Sequence, residues 1–290
     1  MNVQPIPNSQ LVFNEEGAIY HLNLFPEMLA DNVILVGDPN RVSMVSKYFD
    51  NIEYKRSNRE IITHTGTYKG KRVTAMSTGM GTDNIDIVVN ELDAVANIDF
   101  EKRIPNTTHR TLNLIRIGTS GALQPEIDVD TCVASRYAVG FDGLAYFYKD
   151  YKSVIDNEMT NAFIRDLNYP TDLPKPYMVE SSSNLFNRVA EGFNKGITAT
   201  SPGFYGPQGR CVRAELNYPN LNKDIENFRF NEWKITNFEM ESSALFLLAK
   251  ILGHNALTVC AIAANRILER FSPNYHPTME KLIVTVLDRI

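Results

Sequence analysis

The stretch "NVILVGDPNRVSMVSKYF", residues 32–49, decides the fold class. Residues 33–36 are all apolar and are followed by Gly37, which predicts a short buried strand. Residues 39–49 begin with a proline and repeat apolar side chains at helical spacing, which favours a helix. A strand followed directly by a helix is the repeating unit of an α/β domain.

The same alternation continues along the rest of the chain, without an internal repeat or a linker. Two strands joined by a Lys69-Gly70 turn are predicted within residues 59–78, and a helix over 84–98 has Thr82 or Asp83 as its N-cap. The strand 112–118 is expected to end in a turn of small residues at 118–123. Further strands are predicted at 131–139, 196–201 and 255–265, and further helices at 181–193, 241–253 and 277–290. This order indicates one three-layer α/β domain around a large mixed sheet.

Composition and charge exclude several classes of function. Apolar residues make up 43% and charged residues 22%, which is typical of a soluble globular protein. Because the net charge is −5, a nucleic-acid or anionic-membrane surface is not expected, and any bound anion must meet local arginines. The apolar runs are too short to cross a bilayer, and the polar first twenty residues do not resemble a signal peptide. The spacing of cysteines and histidines suggests neither a disulfide framework nor a zinc site, so a reduced cytoplasmic location is predicted.

Three arginines are candidates for binding an anion. Arg41 lies one turn into the first predicted helix, behind Gly37, so backbone N–H groups and the helix dipole can add to its charge. Arg116 lies inside an apolar strand, where an unpaired charge is costly, and Thr119 follows with a hydroxyl. Arg59 is the third. The alternatives are a solvated side chain for Arg41, an acidic partner for Arg116 and a surface salt bridge for Arg59.

Two carboxylates precede the predicted helix 241–253. Glu239 and Glu241 can cap that helix, or one of them can accept both hydroxyls of a ribose while Met240 packs on the sugar. A glycosidase pair fits poorly, since one carboxylate must act on each side of the bond. No GxSxG motif is present, which argues against a covalent hydrolase.

The loop "FYGPQGR", residues 204–210, combines flat aromatic faces with polar groups. Gln208 offers an acceptor and donors, whereas Arg210 offers donors only. Taken alone, this loop favours a surface turn, in which Gly206-Pro207 and Gly209 only punctuate the chain.

Together these segments resemble the nucleoside phosphorylase family, whose members include uridine phosphorylases. The segments that match in order across most of the chain are "HLNL", "GDPNRV", "SNRE", "TGMG" with "NELDAV" downstream, "RIGTSGALQPEIDV", "FYGPQGR", "FEMES" and "NR" at 265–266. The resemblance implies an α/β/α phosphorylase-like fold with a mixed, partly barrel-like sheet, in a single domain over residues 1–290 with 1–20 as an N-terminal extension. It also implies a homodimer or hexamer with shared active sites.

The resemblance also implies a role for each candidate residue. The phosphate-binding residues are Gly37, Arg41, Arg116 and Thr119, with Arg59 from a neighbouring subunit; the ribose-binding residues are Glu239, Met240 and Glu241, with the neighbour's His21; and the base-binding residues are Phe204, Gln208 and Arg210, of which Gln208 and Arg210 are catalytic. No cofactor and no catalytic metal are expected, and inorganic phosphate is the co-substrate. Some members hold a potassium ion between subunits; Glu60 and Met80 match its ligands, but Asn84 replaces a serine.

The identity of the nucleobase is predicted from the absence of an acidic residue after the last core strand. Purine-specific members carry a Ser-Asp pair after the last core strand, whereas this chain has Asn265-Arg266 there. Without a proton donor the base must leave as an anion, which suits uracil, whose charge Gln208 and Arg210 can stabilise. Phosphate-dependent cleavage of uridine is therefore predicted. The alternatives are a phosphorylase for thymidine, deoxyuridine or purine nucleosides, a hydrolytic nucleosidase, and a non-catalytic nucleoside-binding relative.

Overall fold

The computed structural model describes residues 4–290, which contain fourteen β-strands and eight α-helices. The strands are β1 (Asn32–Val36), β2 (Asn51–Asn58), β3 (Ile61–Tyr68), β4 (Lys71–Ser77), β5 (Ile98–Asp99), β6 (Ile104–Pro105), β7 (Asn113–Ala122), β8 (Cys132–Gly140), β9 (Tyr177–Glu180), β10 (Asn194–Thr200), β11 (Arg229–Phe230), β12 (Trp233–Glu239), β13 (Asn255–Asn265) and β14 (Arg270–Phe271). The helices are α1 (Asn40–Ser46), α2 (Thr82–Asn97), α3 (Tyr151–Val154), α4 (Asn157–Asp166), α5 (Ser183–Val189), α6 (Leu221–Asn227), α7 (Ser242–Ile251) and α8 (His276–Arg289).

Twelve of the strands form one mixed sheet that closes on itself along part of its length. Its order is β11-β12-β10-β8-β13-β7-β1-β4-β3-β2, with β9 on β8 and β14 on β13. An additional pairing of β12 with β7 joins β7, β13, β8, β10 and β12 into a closed ring of five strands. The predicted fold class, an α/β fold with a mixed and partly barrel-like sheet, is confirmed.

Strand β1 shows why the sheet lies between two helical layers. Val33 and Leu35 join the hydrophobic core beneath α2 and α7, whereas Ile34 and Val36 join the core beneath α1, α5 and α8. Because successive side chains of a strand point to opposite faces, a strand that is apolar at every position is covered on both. A third core, which includes Phe163 of α4, packs beside the closed part of the sheet.

Two local predictions differ from the structure. The expected turn at 118–123 is instead the end of β7, because Gly121 and Ala122 pair with both β13 and β12. The N-cap of α2 is Gly81, at φ 100°, rather than Thr82 or Asp83. In both places a distant contact overrides the local preference: strand closure at the end of β7, and a hydrogen bond from the Gly81 N–H to Glu241.

The N-terminal segment packs onto the rest of the chain from Ile6 onwards, and its first three residues lie outside the described part. Leu11 and Ile19 are buried in the core beneath α2, and the Ile6 N–H donates to the Arg103 carbonyl. Among residues 4–290, no helix is both long enough and apolar enough to span a membrane.

Truncation of a buried ring of α7 should show how much the fold depends on its packing. Phe246 is 1% exposed, so Phe246→Ala should lower the free energy of unfolding by about 3–5 kcal/mol. Phe147, which is 86% exposed, is the matched control, and Phe147→Ala should change the free energy of unfolding by less than about 0.5 kcal/mol. Urea denaturation of both variants measures the difference; equal losses would contradict this packing.

Candidate functional site

A cavity of about 780 Å³ opens where β1, β7 and β12 end, and it gathers most of the predicted site residues. The predicted residues that line it are Gly37, Arg41, Arg116, Thr119, Phe204, Gln208, Arg210, Glu239, Met240 and Glu241. Glu60, Met80 and Asn84 line it too. These residues come from distant segments, and a site at the ends of the strands is common in α/β sheets.

An ion pair between Arg116 and Glu241 lies at the inner end of the cavity. The side chains are 5% and 4% exposed, and the guanidinium donates to Glu241 Oε2. Burial alone would lower the pKa of Arg116, but the charges of Glu241 and Glu239 outweigh it and hold the pKa above its usual value. The acidic partner that the sequence left as an alternative for Arg116 is therefore present.

Arg116 still has unused donor capacity. Its Nε is buried and has no hydrogen-bond partner within residues 4–290. The backbone at Gly37 lies close to this guanidinium, since a Cβ on Gly37 would be 3.8 Å from Arg116 Nη2. An anion bound against Gly37 would meet this guanidinium directly, in a place from which water is largely excluded.

Glu241 is held from two sides. Its Oε1 accepts the Gly81 N–H at 2.9 Å, and its Oε2 accepts from Arg116. Burial raises the pKa of the Glu241 carboxyl; the charge of Arg116 opposes this rise and that of Glu239 adds to it. Each carboxylate oxygen keeps lone pairs for further donors such as hydroxyl groups.

Glu239 has a different environment from Glu241. Its two oxygens accept the backbone N–H groups of Glu241 and Ser242 at 3.0–3.1 Å, and Oε1 also accepts the Thr200 hydroxyl at 2.7 Å. It therefore caps the N-terminus of α7, which is the alternative that the sequence left open for this pair. Its ribose-binding role stays a prediction.

The loop 204–210 folds back on its own polar groups. Arg210 Nη1 donates to Gln208 Oε1 at 2.7 Å and to the Phe204 carbonyl at 2.6 Å, and the guanidinium lies 3.8 Å from the centre of the Phe204 ring. Arg210 thus orients the amide of the buried Gln208 and stacks on Phe204. The guanidinium has further N–H groups, and the second lone pair of Gln208 Oε1 is free for a ligand.

Sequence reasoning missed two further residues at this end of the cavity. Phe238, which lines the cavity, lies 5.4 Å from the guanidinium of Arg266, whose Nη1 is buried and has no partner among residues 4–290. Burial and the charge of Arg210 lower the pKa of Arg266 to about 10. Arg266 follows the last core strand directly, and this position was the signal that could have marked it as a site residue. The sequence alone gave it no role.

Asn265 is a structural residue. Its Nδ2 donates to the carbonyls of Gln124 and Ile127, and its Oδ1 accepts the N–H groups of Ile267 and Leu268. With both ends of its amide in use, Asn265 has no proton to give to a departing base.

Two predicted residues lie outside the cavity of their own chain. His21 is held by Glu91, with Nδ1 2.5 Å from Oε1 and the backbone N–H donating to the same carboxylate. Arg59 is exposed in the β2–β3 turn, at φ 51°. Both were assigned to a neighbouring subunit's site, and that assignment stays a prediction.

The candidate cation ligands are close together but do not form an oxygen cage. Asn84 directs its amide nitrogen to Glu60 Oε1 at 3.5 Å, and a nitrogen that carries hydrogens is not a ligand for a hard cation. The potassium ion therefore stays a prediction and enters no step below.

The chain has an α/β fold with a cavity lined by arginines and carboxylates, and comparison with known proteins specifies the class. The sequence profile of the phosphorylase superfamily matches residues 31–287. A uridine phosphorylase of Thermococcus kodakarensis is 33% identical over 89% of this chain and 81% of its own length. A DeoD-type purine nucleoside phosphorylase of Bacillus velezensis is 28% identical over 84% of this chain and 86% of its own length.

The structural comparison agrees. A solved nucleoside phosphorylase of Trypanosoma brucei that shows uridine phosphorylase activity superposes with a TM-score of 0.84 at 28% identity, over 97% of this chain and 100% of that one. This chain belongs to the phosphorylase superfamily. The predicted family and the predicted enzyme class, a pentosyltransferase of the nucleoside phosphorylase type, are confirmed.

The position of the Arg116 guanidinium can be tested through Gly118. A Cβ at this position would overlap the guanidinium and lie 3.2 Å from Cys260 Sγ, so Gly118→Ala should push Arg116 away from Gly37. We expect the phosphate KM to rise at least about tenfold, since a charged hydrogen bond contributes roughly 1.5–3 kcal/mol. Gly121→Ala is the control, because its Cβ would lie 3.5 Å from Arg266 in ordinary contact. Equal phosphate KM values in the two variants would contradict this geometry.

Proposed function

We propose that this protein cleaves uridine with inorganic phosphate, giving uracil and α-ribose 1-phosphate. The observation that supports this most directly is that one cavity holds a buried Arg116–Glu241 pair and the Gln208–Arg210 pair. The first pair suits a phosphate and a ribose, and the second suits a pyrimidine. A homodimer or hexamer in the cytoplasm, with His21 and Arg59 shared between subunits, remains part of the prediction.

Phosphate is proposed to bind against Gly37, between Arg41 and Arg116. Arg41 is half-buried, and its side chain forms no hydrogen bond or ion pair within residues 4–290. The free Nε of Arg116 adds a second charged donor. Two guanidinium groups can hold a phosphate in one orientation, so that one of its oxygens can attack C1′ of the ribose.

Glu241 is proposed to bind the ribose through its 2′ and 3′ hydroxyls. Since the same carboxylate accepts from Arg116, the sugar and the phosphate share one buried contact. This arrangement fixes the two reactants relative to each other, which is where much of the rate of a two-substrate enzyme arises. Attack on the face opposite the base inverts C1′ and gives the α-phosphate.

The leaving base is proposed to depart as an anion. When the C1′–N1 bond breaks, its electron pair remains on uracil, and the charge spreads over the ring and its two carbonyl oxygens. Arg210 and the Gln208 amide supply donors, and Arg266 adds a second guanidinium nearby. An anion between two close guanidinium groups with unused N–H groups is stabilised by both. The site therefore favours the negative charge that develops on the base during cleavage.

Cleavage of purine nucleosides is the main alternative, because DeoD-type purine enzymes are also related to this chain. The structure favours uridine for one reason. Asn265-Arg266 stands where purine-specific members carry the Ser-Asp pair, so Arg266 takes the place of the protonating aspartate, and Asn265 uses its whole amide in backbone hydrogen bonds.

Removal of the Arg210 guanidinium is the sharpest test of base recognition. Arg210→Ala should lower kcat/KM for uridine at saturating phosphate by at least about 100-fold, because one preorganised donor contributes roughly 3 kcal/mol. The fold should persist, since the side chain contacts mainly its own loop. Arg213→Ala, at an exposed arginine three residues further on, is the matched control and should stay within twofold of wild type. Near-wild-type activity of Arg210→Ala would overturn the assigned role.

A further inference from the structure

The loop 204–210 is backed by a second cavity rather than by packed side chains. This cavity has a volume of about 300 Å³. Pro202, Gly206 and Pro207, in or next to the loop, line it together with Phe141 and Leu221 of other segments. Side chains that border a void lose dispersion contacts on that side. On this side, hydrogen bonds rather than packing hold the loop in place.

Few of these hydrogen bonds come from outside the loop. The N–H groups of Gln208 and Arg210 both donate to the Tyr205 carbonyl, which closes the turn internally. Among residues 4–290, the hydrogen bonds from other side chains to residues 204–210 are those of Ser201, to the Pro207 carbonyl at 3.3 Å, and of Asn222, to the Gln208 carbonyl at 2.7 Å. Ser201 directly precedes the loop. Asn222, on α6, is thus the contact that ties the loop to a separate element.

Gly209 is shaped to receive this contact. Its φ is +67°, a region that side chains rarely adopt. A Cβ on Gly209 would overlap the Asn222 amide nitrogen and lie 2.5 Å from its Cγ. The missing side chain therefore lets the Asn222 amide reach the carbonyl of Gln208, and the two residues form a matched pair.

We propose that Asn222 is a positioning residue for base recognition. By fixing the main chain at Gln208, it fixes the amide that faces the cavity and, through the bond to Gln208 Oε1, the guanidinium of Arg210. This inference rests on the proposed function, in which those two side chains bind the base. Asn222 acts on the base alone, because its contact is with the loop and not with the phosphate or ribose residues.

The test compares Asn222→Ala with Asn227→Ala. Asn227 is an exposed asparagine on the same helix, and its amide donates within the helix to the Lys223 carbonyl at 2.7 Å. In Asn222→Ala, we expect the KM values for uridine and for uracil to rise at least about tenfold and kcat to fall. The KM values for phosphate and for α-ribose 1-phosphate should stay within twofold. All four should stay within twofold in Asn227→Ala.

A second variant approaches the same contact from the loop. Gly209→Ala should raise the KM for uracil selectively as well. In the double variant with Asn222→Ala the loss should be smaller than the product of the two single losses, because one overlap is removed. Amide hydrogen exchange of residues 204–210, measured without substrate, should be faster in Asn222→Ala than in wild type.

An unchanged uracil KM with unchanged hydrogen exchange in Asn222→Ala would overturn the inference, and so would equal rises for uracil and phosphate, which indicate a general structural effect. Should Asn222→Ala fail to fold, Gly209→Ala and its selective effect decide the matter. If the wild-type protein does not cleave uridine in phosphate, the proposed function fails, and hydrogen exchange alone then tests the Asn222 contact.

Discussion

The site depends on one buried charge. Arg116 lies within an apolar strand, and a buried guanidinium without a partner would be too costly to keep. Glu241 is that partner, and it is held in turn by the Gly81 N–H, while Glu239 caps the helix that follows. Three segments far apart in sequence are thereby fixed around one ion pair. A buried pair of this kind adds little to stability on its own, so its value lies in the position that it imposes.

The fold provides the surroundings that this pair needs. Strand β7 continues through Gly121 and Ala122 to close the sheet against β12, and this pairing brings Glu239 and Glu241 beside Arg116. The same strand leads from the buried pair to Gly121, next to Arg266, at the end where Gln208 and Arg210 lie. The cavity thus has a charge-paired end, where the proposed function places phosphate and ribose, and a donor-rich end, where it places the base.

Much of the fold could be predicted from the sequence, because the apolar run at 255–265 predicts β13 and the helical spacing of apolar residues in 277–290 predicts α8. The end of β7 could not, since its small residues favour a turn locally and become a strand only when β12 and β13 pair with them. Within the site, arginines in costly positions could be found from the chain alone. Whether Arg116 pairs with a carboxylate and how Asn222 reaches Gln208 depend on contacts over more than ten residues, so they needed the structure. Which of Glu239 and Glu241 caps α7 needed it too, because Thr200 orients Glu239 whereas Arg116 and Gly81 hold Glu241.

Phosphate dependence and choice of base together test the central claim most directly. Uridine and inosine would each be incubated with the wild-type protein, with and without inorganic phosphate, and the products followed by ³¹P NMR and by absorbance of the free base. The account predicts that uridine is converted to uracil and α-ribose 1-phosphate only when phosphate is present, and faster than inosine is cleaved. Equal cleavage of uridine without phosphate, or faster cleavage of inosine, would contradict it.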